Sequence, residues 1–360
     1  MRLVFITRKL DRSDSRTGFV FDWILKLARH MERLYVICQE QGNVSGLPDN
    51  IEVHSLGKEK GRGKIRQAVT LCILSFQLSK NTSGFFCHMM PVYVIAAWPA
   101  NFLFRKKLLL WYVHKSVDWK LRLATAMADK VLTASEESFR LASRKVKVVG
   151  HGIDVKKFEI RNSKFETNPK FQTPKFKIIS IGRISPVKDY ETLLKATEIL
   201  VNQKGVKNIQ VEIYGEPALP ADRSYLASLQ LFVKNARLQD YFTFKGGISY
   251  AEVPEALSRA DAAVNMSQTG SLDKFVLEAA AAGTIVLTSN EAFEKPLMAI
   301  SRVLFFVRND PAGLAEKILL IKQMEPEKIT DLANSLRTWV ARDHNLDILV
   351  EKIINEFKRK

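Results

Sequence analysis

The sequence predicts an α/β protein made of two doubly wound parallel sheets, and three observations carry that prediction. Short β-branched and aliphatic runs alternate with helical-period segments almost from end to end, the pattern that crossover helices impose on parallel strands. The chain has 360 residues, too many for one ordinary core and well suited to two. Between Lys156 and Lys175 it turns polar, rich in Lys, Asn and Phe and broken by Pro169 and Pro174, which reads as a linker between two halves of one design.

Taken in order, the first half places strands near Leu3 to Ile6, Leu34 to Cys38, Ile51 to His54, Gly84 to Cys87, Lys107 to Tyr112, Lys130 to Leu132 and Val146 to Val149. The second half repeats the scheme near Lys177 to Ile181, Gln210 to Tyr214, Tyr241 to Phe244, Ala262 to Asn265, Thr284 to Leu287 and Val303 to Phe306. Two helical segments close the chain. In the last, Leu346, Ile348, Leu349, Ile353, Ile354 and Phe357 form an apolar stripe that calls for a packing partner. The expected division is 1–155, a linker at 156–175, 176–342 and a terminal helix at 343–360.

Composition narrows the function classes. Four apolar residues, Leu3 to Ile6, are far too few for a secretory signal core. The stretch Phe85 to Phe104 is long enough to cross a bilayer, but His88, Pro91, Pro99 and Asn101 interrupt it. Cys38, Cys72 and Cys87 lie in apolar surroundings without paired or metal-like spacing, which points to buried thiols and a reducing, cytoplasmic setting. The net charge of +17 is uneven: residues 1–150 hold 25 Lys and Arg against 12 Asp and Glu, or +13, and the remainder carries only +4. That excess implies an anionic partner for the first half, whether nucleic acid, membrane surface or phosphorylated acceptor. No helix-turn-helix, zinc or stacking motif accompanies it, so nucleic acid is not expected.

The strongest local motif is I-S-I-G-R-I-S-P-V-K-D-Y-E-T-L-L-K-A. Gly182 ends a strand and allows a sharp turn, Arg183 projects at the carboxyl end of the sheet, and Lys188 stands at the mouth of the next helix. Two readings stand for this pair taken alone: a clamp on two adjacent phosphates, or two solvated loop cations. Further on, T-G-S-L-D-K-F-V-L-E-A-A-A-A-G sets Glu278 on a small-residue helix that closes at Gly283. A carboxylate there can accept two hydroxyl hydrogen bonds from a ribose, or simply face solvent. No Asp-x-Asp pair of the kind that holds a divalent ion on a sugar diphosphate occurs, and no His spacing suits a metal, so none is expected. His88 and His151 read as loop or cleft residues.

With G-R-I-S-P-V-K, T-G-S-L-D-K-F-V-L-E-A-A-A-A-G, W-Y-V-H-K-S-V-D-W-K-L-R-L-A, T-A-S-E-E-S-F and G-H-G-I-D in this order, the chain resembles the retaining glycosyltransferases of family four over nearly its whole length. The resemblance implies GT-B architecture: two Rossmann-like domains facing each other across a cleft, with the terminal helix packed back on the first. It implies a metal-independent transfer of sugar from a nucleotide-diphosphate sugar to a hydroxyl of a glycan or lipid-linked acceptor, with retention. By that resemblance Arg183 and Lys188 bind the donor diphosphate and neutralise the leaving group, Glu278 holds the ribose, His114 lies near the donor sugar, and Gly18 lies in the first strand-to-helix loop against phosphates or acceptor. Domain closure about the linker then excludes water.

Two departures qualify the match. The family usually carries a second glutamate eight positions before the ribose glutamate, and here that position is Gly270. Main-chain amides of Gly270, Ser271 and Leu272, aided by Lys274, are expected to bind the donor sugar instead. The first loop, Thr7 to Thr17, is longer and more charged than the family's paired-glycine turn and supplies only Gly18. Two rival functions keep the fold: a nucleotide-sugar epimerase or hydrolase, and a catalytically silent nucleotide-binding subunit. The basic run Gly57 to Arg66 with Arg105 to Lys107 reads either as solvated loops or as a patch for anionic headgroups on the inner face of the membrane.

Overall fold

The structure, a computed structural model, describes residues 1–14, 17–159 and 175–359. Contacts divide it into two units: Met1–Gly152 with Ser249–Ala251 and His344–Lys360, and Ile153–Ile248 with Glu252–Asp343.

The first unit is a seven-stranded parallel sheet, β1 (Arg2–Leu10), β2 (Arg33–Gln41), β3 (Ile51–Ser55), β4 (Gly84–His88), β5 (Lys107–Trp111), β6 (Lys130–Thr133) and β7 (Val146–Val148), in the order β3-β2-β1-β4-β5-β6-β7. The chain winds outward from β1 to β3, then returns to lay β4 against the other side of β1, so the order reverses between those two strands. Helices α1 (Gly18–Ala28), α2 (Lys64–Ser79), α3 (Pro91–Leu103) and α4 (Trp119–Met127) cross over it. Central strands covered on both faces need unbroken apolar runs, and Leu3, Val4, Phe5 and Ile6 are all fully buried. The stretch weighed for a bilayer span is β4 followed by α3, and among the described residues no helix is long and apolar enough to cross a membrane.

The second unit opens with a short helix, α5 (Val155–Phe158), and builds a five-stranded parallel sheet from β8 (Phe176–Ile181), β9 (Ile209–Tyr214), β10 (Phe242–Gly246), β11 (Ala262–Asn265) and β12 (Ile285–Thr288), in the order β10-β9-β8-β11-β12. Its helices are α6 (Tyr190–Glu198), α7 (Pro220–Asn235), α8 (Val253–Ser258), α9 (Lys274–Ala282), α10 (Glu294–Ile300), α11 (Pro311–Lys322) and α12 (Pro326–Asp343). The last helix, α13 (Leu346–Lys358), returns to the first unit. There Lys26 Nζ on α1 binds Asp347 at 2.7 Å, Lys147 Nζ binds Glu356 at 2.6 Å, and Leu349, Val350, Ile353 and Phe357 are buried.

Several expectations need correction. Val303 to Phe306 is not a strand: Ser301 Oγ accepts from Val303 N and starts a 3-10 turn over Arg302–Leu304, leaving one bridge, Thr288 to Phe305. The first loop starts at Asp11, not Thr7, because β1 continues to Leu10 and Lys9 is held by Asp14 at 2.6 Å. His88 is not a loop residue but the last residue of β4, whereas His151 lies in the loop after β7 as expected. Both are buried beside Trp23, with His88 Nδ1 3.3 Å from Thr7 Oγ1 and His151 Nδ1 accepting from Gly152 N. Of the expected linker, Lys156, Lys157 and Phe158 belong to α5, and residues 160–174 lie outside the described residues.

Candidate functional site in the second unit

In the second sheet the strand order reverses between β8 and β11, and the carboxyl ends of such a pair are where open α/β sheets gather ligands. β8 ends at Ile181, and Gly182 continues the pairing by donating to Tyr214 O at 2.9 Å. The close approach is possible because residue 215 has no side chain: a Cβ on Gly215, whose φ is +156°, would stand 1.8 Å from Gly182 O. Tyr190, the first residue of α6, donates its hydroxyl to the same carbonyl at 3.0 Å.

Between Gly182 and α6 lie the two predicted cations, in different settings. Arg183 is exposed, its Nε 3.4 Å from Ser185 Oγ. Lys188 stands at the mouth of α6, as predicted. It ends a 3-10 turn, Pro186–Lys188, and Asp189 at φ +49° follows as the helix N-cap, its carboxylate accepting from Thr192 Oγ1 at 2.8 Å. The Lys188 side chain folds back over Gly182, where an added Cβ would meet its Nζ at 3.5 Å. Its ammonium forms an ion pair with Asp273.

Asp273 caps α9, accepting from Phe275 N at 3.3 Å, and also accepts from Asn265 Nδ2 at 3.1 Å. Asn265 is the last residue of β11 and is itself fixed by Thr288 Oγ1, which donates to its Oδ1 at 3.2 Å. Burial opposes ionisation of Asp273, but the Lys188 ammonium and the Asn265 and Phe275 donors outweigh it and hold the carboxyl below its usual range. Gln268 N donates to Val187 O at 2.9 Å and stitches the two loops together.

One turn further along α9, Lys274 Nζ pairs with Glu278 Oε1 at 3.1 Å, both side chains being largely buried. Lys188, Asp273, Lys274 and Glu278 therefore make two ion pairs at the start of one helix, on adjoining residues. The alanines that follow, Ala279 to Ala282, are buried, and the helix ends at Gly283, φ +75°, where Arg337 donates to Ala282 O at 3.0 Å.

The structure thus brings Lys188, Lys274 and Glu278 into one cluster, with Asp273 and Asn265 as members the sequence reading did not assign. Arg183 shares the loop but makes no ion pair with them among the described residues. Gly270 sits at φ +61°, a left-handed backbone that suits glycine and disfavours the glutamate expected by pattern at that position. Ser271 O accepts from Asn290 Nδ2 at 2.9 Å, and Leu272 is buried. The signal for Asp273 was its place as an Asp immediately before a helix of apolar and alanine residues, an N-cap signature. No comparable signal marked Asn265.

His114 and Gly18 belong to the first unit. His114 is exposed beyond the end of β5, its Nδ1 accepting from Ser116 N at 3.1 Å, which leaves Nε2 to carry the proton of the neutral ring. Partial desolvation of the ring and the neighbouring Lys115 charge lower its pKa. Gly18, the first residue of α1, is buried; a Cβ there would meet Tyr250 Cβ at 3.0 Å and Arg12 O at 3.3 Å.

Residues 161–339 match the profile of the family described as glycosyl transferases group 1. These residues belong to this family. Among curated relatives, a human GDP-Man:Man(3)GlcNAc(2)-PP-Dol alpha-1,2-mannosyltransferase is 26% identical over 179 residues, 48% of this chain and 36% of that one. The D-inositol 3-phosphate glycosyltransferase of Streptomyces avermitilis is 26% identical over 202 residues, 53% of this chain and 43% of its own. The chain thus matches under half the length of these relatives. Among solved structures, Anabaena HepE in complex with UDP superposes with a TM-score of 0.76 at 15% identity, covering 99% of this chain and 100% of that one. The OtsA apo structure superposes at 0.73 and 11% identity, with 100% of both chains covered. The GT-B fold of the chain follows from these superpositions.

Proposed function

We propose that this chain moves a sugar from a nucleotide-diphosphate sugar to a hydroxyl of a glycan or lipid-linked acceptor, with retention of configuration. The observation that carries the reading is the cluster of Lys188, Asp273, Lys274 and Glu278 at the reversal point of the second sheet. Lys188 and the exposed Arg183 receive the diphosphate, Lys188 exchanging the Asp273 carboxylate for a phosphate oxygen. Glu278 receives the ribose hydroxyls. The main-chain amides of Gly270, Ser271 and Leu272, with Lys274, receive the sugar. His114 and Gly18 serve the same reaction from the first unit, His114 as a neutral imidazole whose Nε2 can donate a hydrogen bond.

Fixed cations meet the charge that develops on the departing diphosphate, so the transfer needs no metal; turnover unaffected by EDTA is the expected result. GDP-mannose in the name of the human relative and UDP in the HepE complex support a nucleotide-sugar donor. The basic first unit supports an anionic acceptor or an anionic membrane surface.

The test is a thermal-shift series with UDP, GDP, ADP and their sugars, since a ligand that binds only the folded chain must stabilise it. A shift with one nucleotide family is expected, and no shift with any of them removes the proposal. A second reading, a nucleotide-binding subunit without turnover, draws on Gly270 and on the neutralisation of Lys188 and Lys274 by carboxylates. Product analysis with donor alone and with donor plus acceptor separates transfer from hydrolysis, epimerisation and silence.

A further inference from the structure

Helix α2 is apolar on two faces. Leu71, Leu74 and Leu78 point into the first unit's core. Ile65, Val69, Ile73 and Phe76 repeat at helical spacing on the other side, 84%, 53%, 52% and 40% exposed. At 3.6 residues per turn these four fall within an arc of about 80°. From Gln67 to Ser79 the helix holds no Asp, Glu, Lys, Arg or His. A helix face turned to water ordinarily carries such groups, so this face is built for an apolar neighbour.

The surface continues onto the end of α3. Phe104 packs its ring edge-to-face on Phe76 at 6.4 Å, and beside it Phe102 and Leu103 are 70% and 66% exposed. Cations border the apolar strip at both ends: Lys64 and Arg66 on the first turn of α2, and Arg105 and Lys106 after α3. None of these four makes an ion pair among the described residues, whereas nearby Lys58 is held by Glu40 at 2.6 Å.

A second copy of the chain is a poor partner for this face. A two-fold contact sets each patch against itself and would oppose cation to cation. An anionic bilayer supplies both complements at once, acyl chains for the strip and phosphates for its rim. We infer that the outward face of α2 and the end of α3 insert into the headgroup layer of an anionic phospholipid bilayer, with Ile65, Val69, Ile73, Phe76, Phe102 and Leu103 reaching the acyl boundary. The inference deepens and rests on the membrane-surface reading of the basic segment, but it does not depend on sugar transfer.

The test is co-sedimentation of the full chain with phosphatidylglycerol and with phosphatidylcholine vesicles, in low and high salt. Wild type should bind the anionic vesicles and retain part of that binding in high salt, because buried apolar area is not screened. Ile65→Ser with Ile73→Ser should lower partitioning about tenfold or more at both salt levels. Lys64→Gln with Arg66→Gln should lower it about 25-fold in low salt, about fivefold per charge, and much less in high salt. All four side chains are exposed, and unchanged thermal unfolding checks that the variants fold.

Anionic binding that ignores the Ile65 and Ile73 changes leaves an electrostatic contact and overturns insertion. Equal binding to phosphatidylcholine, no binding at all, or a solution dimer lost in the same isoleucine variant also overturns it. Vesicle binding as expected with no nucleotide-induced thermal shift defeats the sugar-transfer reading and leaves this one standing.

Discussion

Replacing Lys188 by Met keeps the stem over Gly182 and removes the ammonium, which leaves the Asp273 carboxylate with Asn265 Nδ2 and Phe275 N as its donors. Stripping a buried carboxylate of its counter-ion costs about 3–5 kcal/mol when nothing remains to solvate it. Here two donors remain and the pair is 16% and 14% exposed, so we expect about 2–3 kcal/mol. Asp273→Asn loses the same pair and weakens the α9 cap, and a double variant should cost less than the two singles together by about 2 kcal/mol, since each single strands the other partner. Hydrogen exchange by mass spectrometry on peptides from β11 and α9 reads the effect locally, as a thirty- to 150-fold acceleration, about a tenfold change per 1.4 kcal/mol. The pH dependence has a fixed sign. The Asp273 pKa is depressed in the folded chain, so its stabilisation is present above the ordinary carboxylate value and is lost as pH falls through the lower folded one. The difference between wild type and Lys188→Met should therefore be flat from neutral to mildly acidic pH and shrink below about pH 4. Exchange within threefold of wild type, or strictly additive variants, would show that the pair does not hold this loop.

Arg183→Ala, made at an exposed position, should leave stability unchanged and lower turnover about a hundredfold or more; equal turnover takes Arg183 out of the reaction. Glu278→Gln should erase the preference for a ribonucleoside diphosphate over its 2′-deoxy analogue, worth about 1.5–3 kcal/mol for a charged acceptor, as measured by calorimetry; a preserved preference places the ribose elsewhere. Gly215→Ala sets a methyl 1.8 Å from Gly182 O and should destabilise the second unit by about 3 kcal/mol or more in urea, an effect absent if the strand end can slide. The His114 ring should titrate by NMR below the ordinary histidine value, and Lys115→Gln should move the midpoint upward; since its folded pKa is lowered, the stability it contributes is present above that ordinary value and fades as pH drops through the folded one.

How much of this was legible beforehand differs by level. Both sheets were, because parallel strands buried on two faces must be written as apolar runs, and β11 falls on the predicted Ala262 to Asn265. The stub at Val303 to Phe306 has the same apolar composition and fails as a strand because a Ser301 cap diverts it into a turn. At the site, Lys188 and Glu278 were visible as charges in a recognisable run, but their partners were not. Asp273 lay within the quoted motif without a role, and Asn265 looked like any strand end. What binds them is the packing of β8 beside β11, from opposite ends of a crossover. The burial of two histidines was hidden for a related reason: His88 ends β4 and His151 lies in the loop after β7, and only assembly of the sheet shows that Trp23 and Trp111 close over them. The outward stripe of α2 was hidden by its own regularity, since an apolar helical period does not say which of two faces turns inward.

The return of α13 sets the order in which the molecule can be finished. Residues 344–360 belong to the first unit, so the second unit is in effect inserted between its parts. At about 5–20 residues per second, a ribosome adds the intervening stretch in roughly 10–40 s, during which Lys107 and Lys147 lack Glu356 and the floor beneath Gly84 lacks Phe357. The nascent first sheet must wait uncovered on that side while its neighbour folds, which makes it the half most exposed to chaperones and proteases during synthesis.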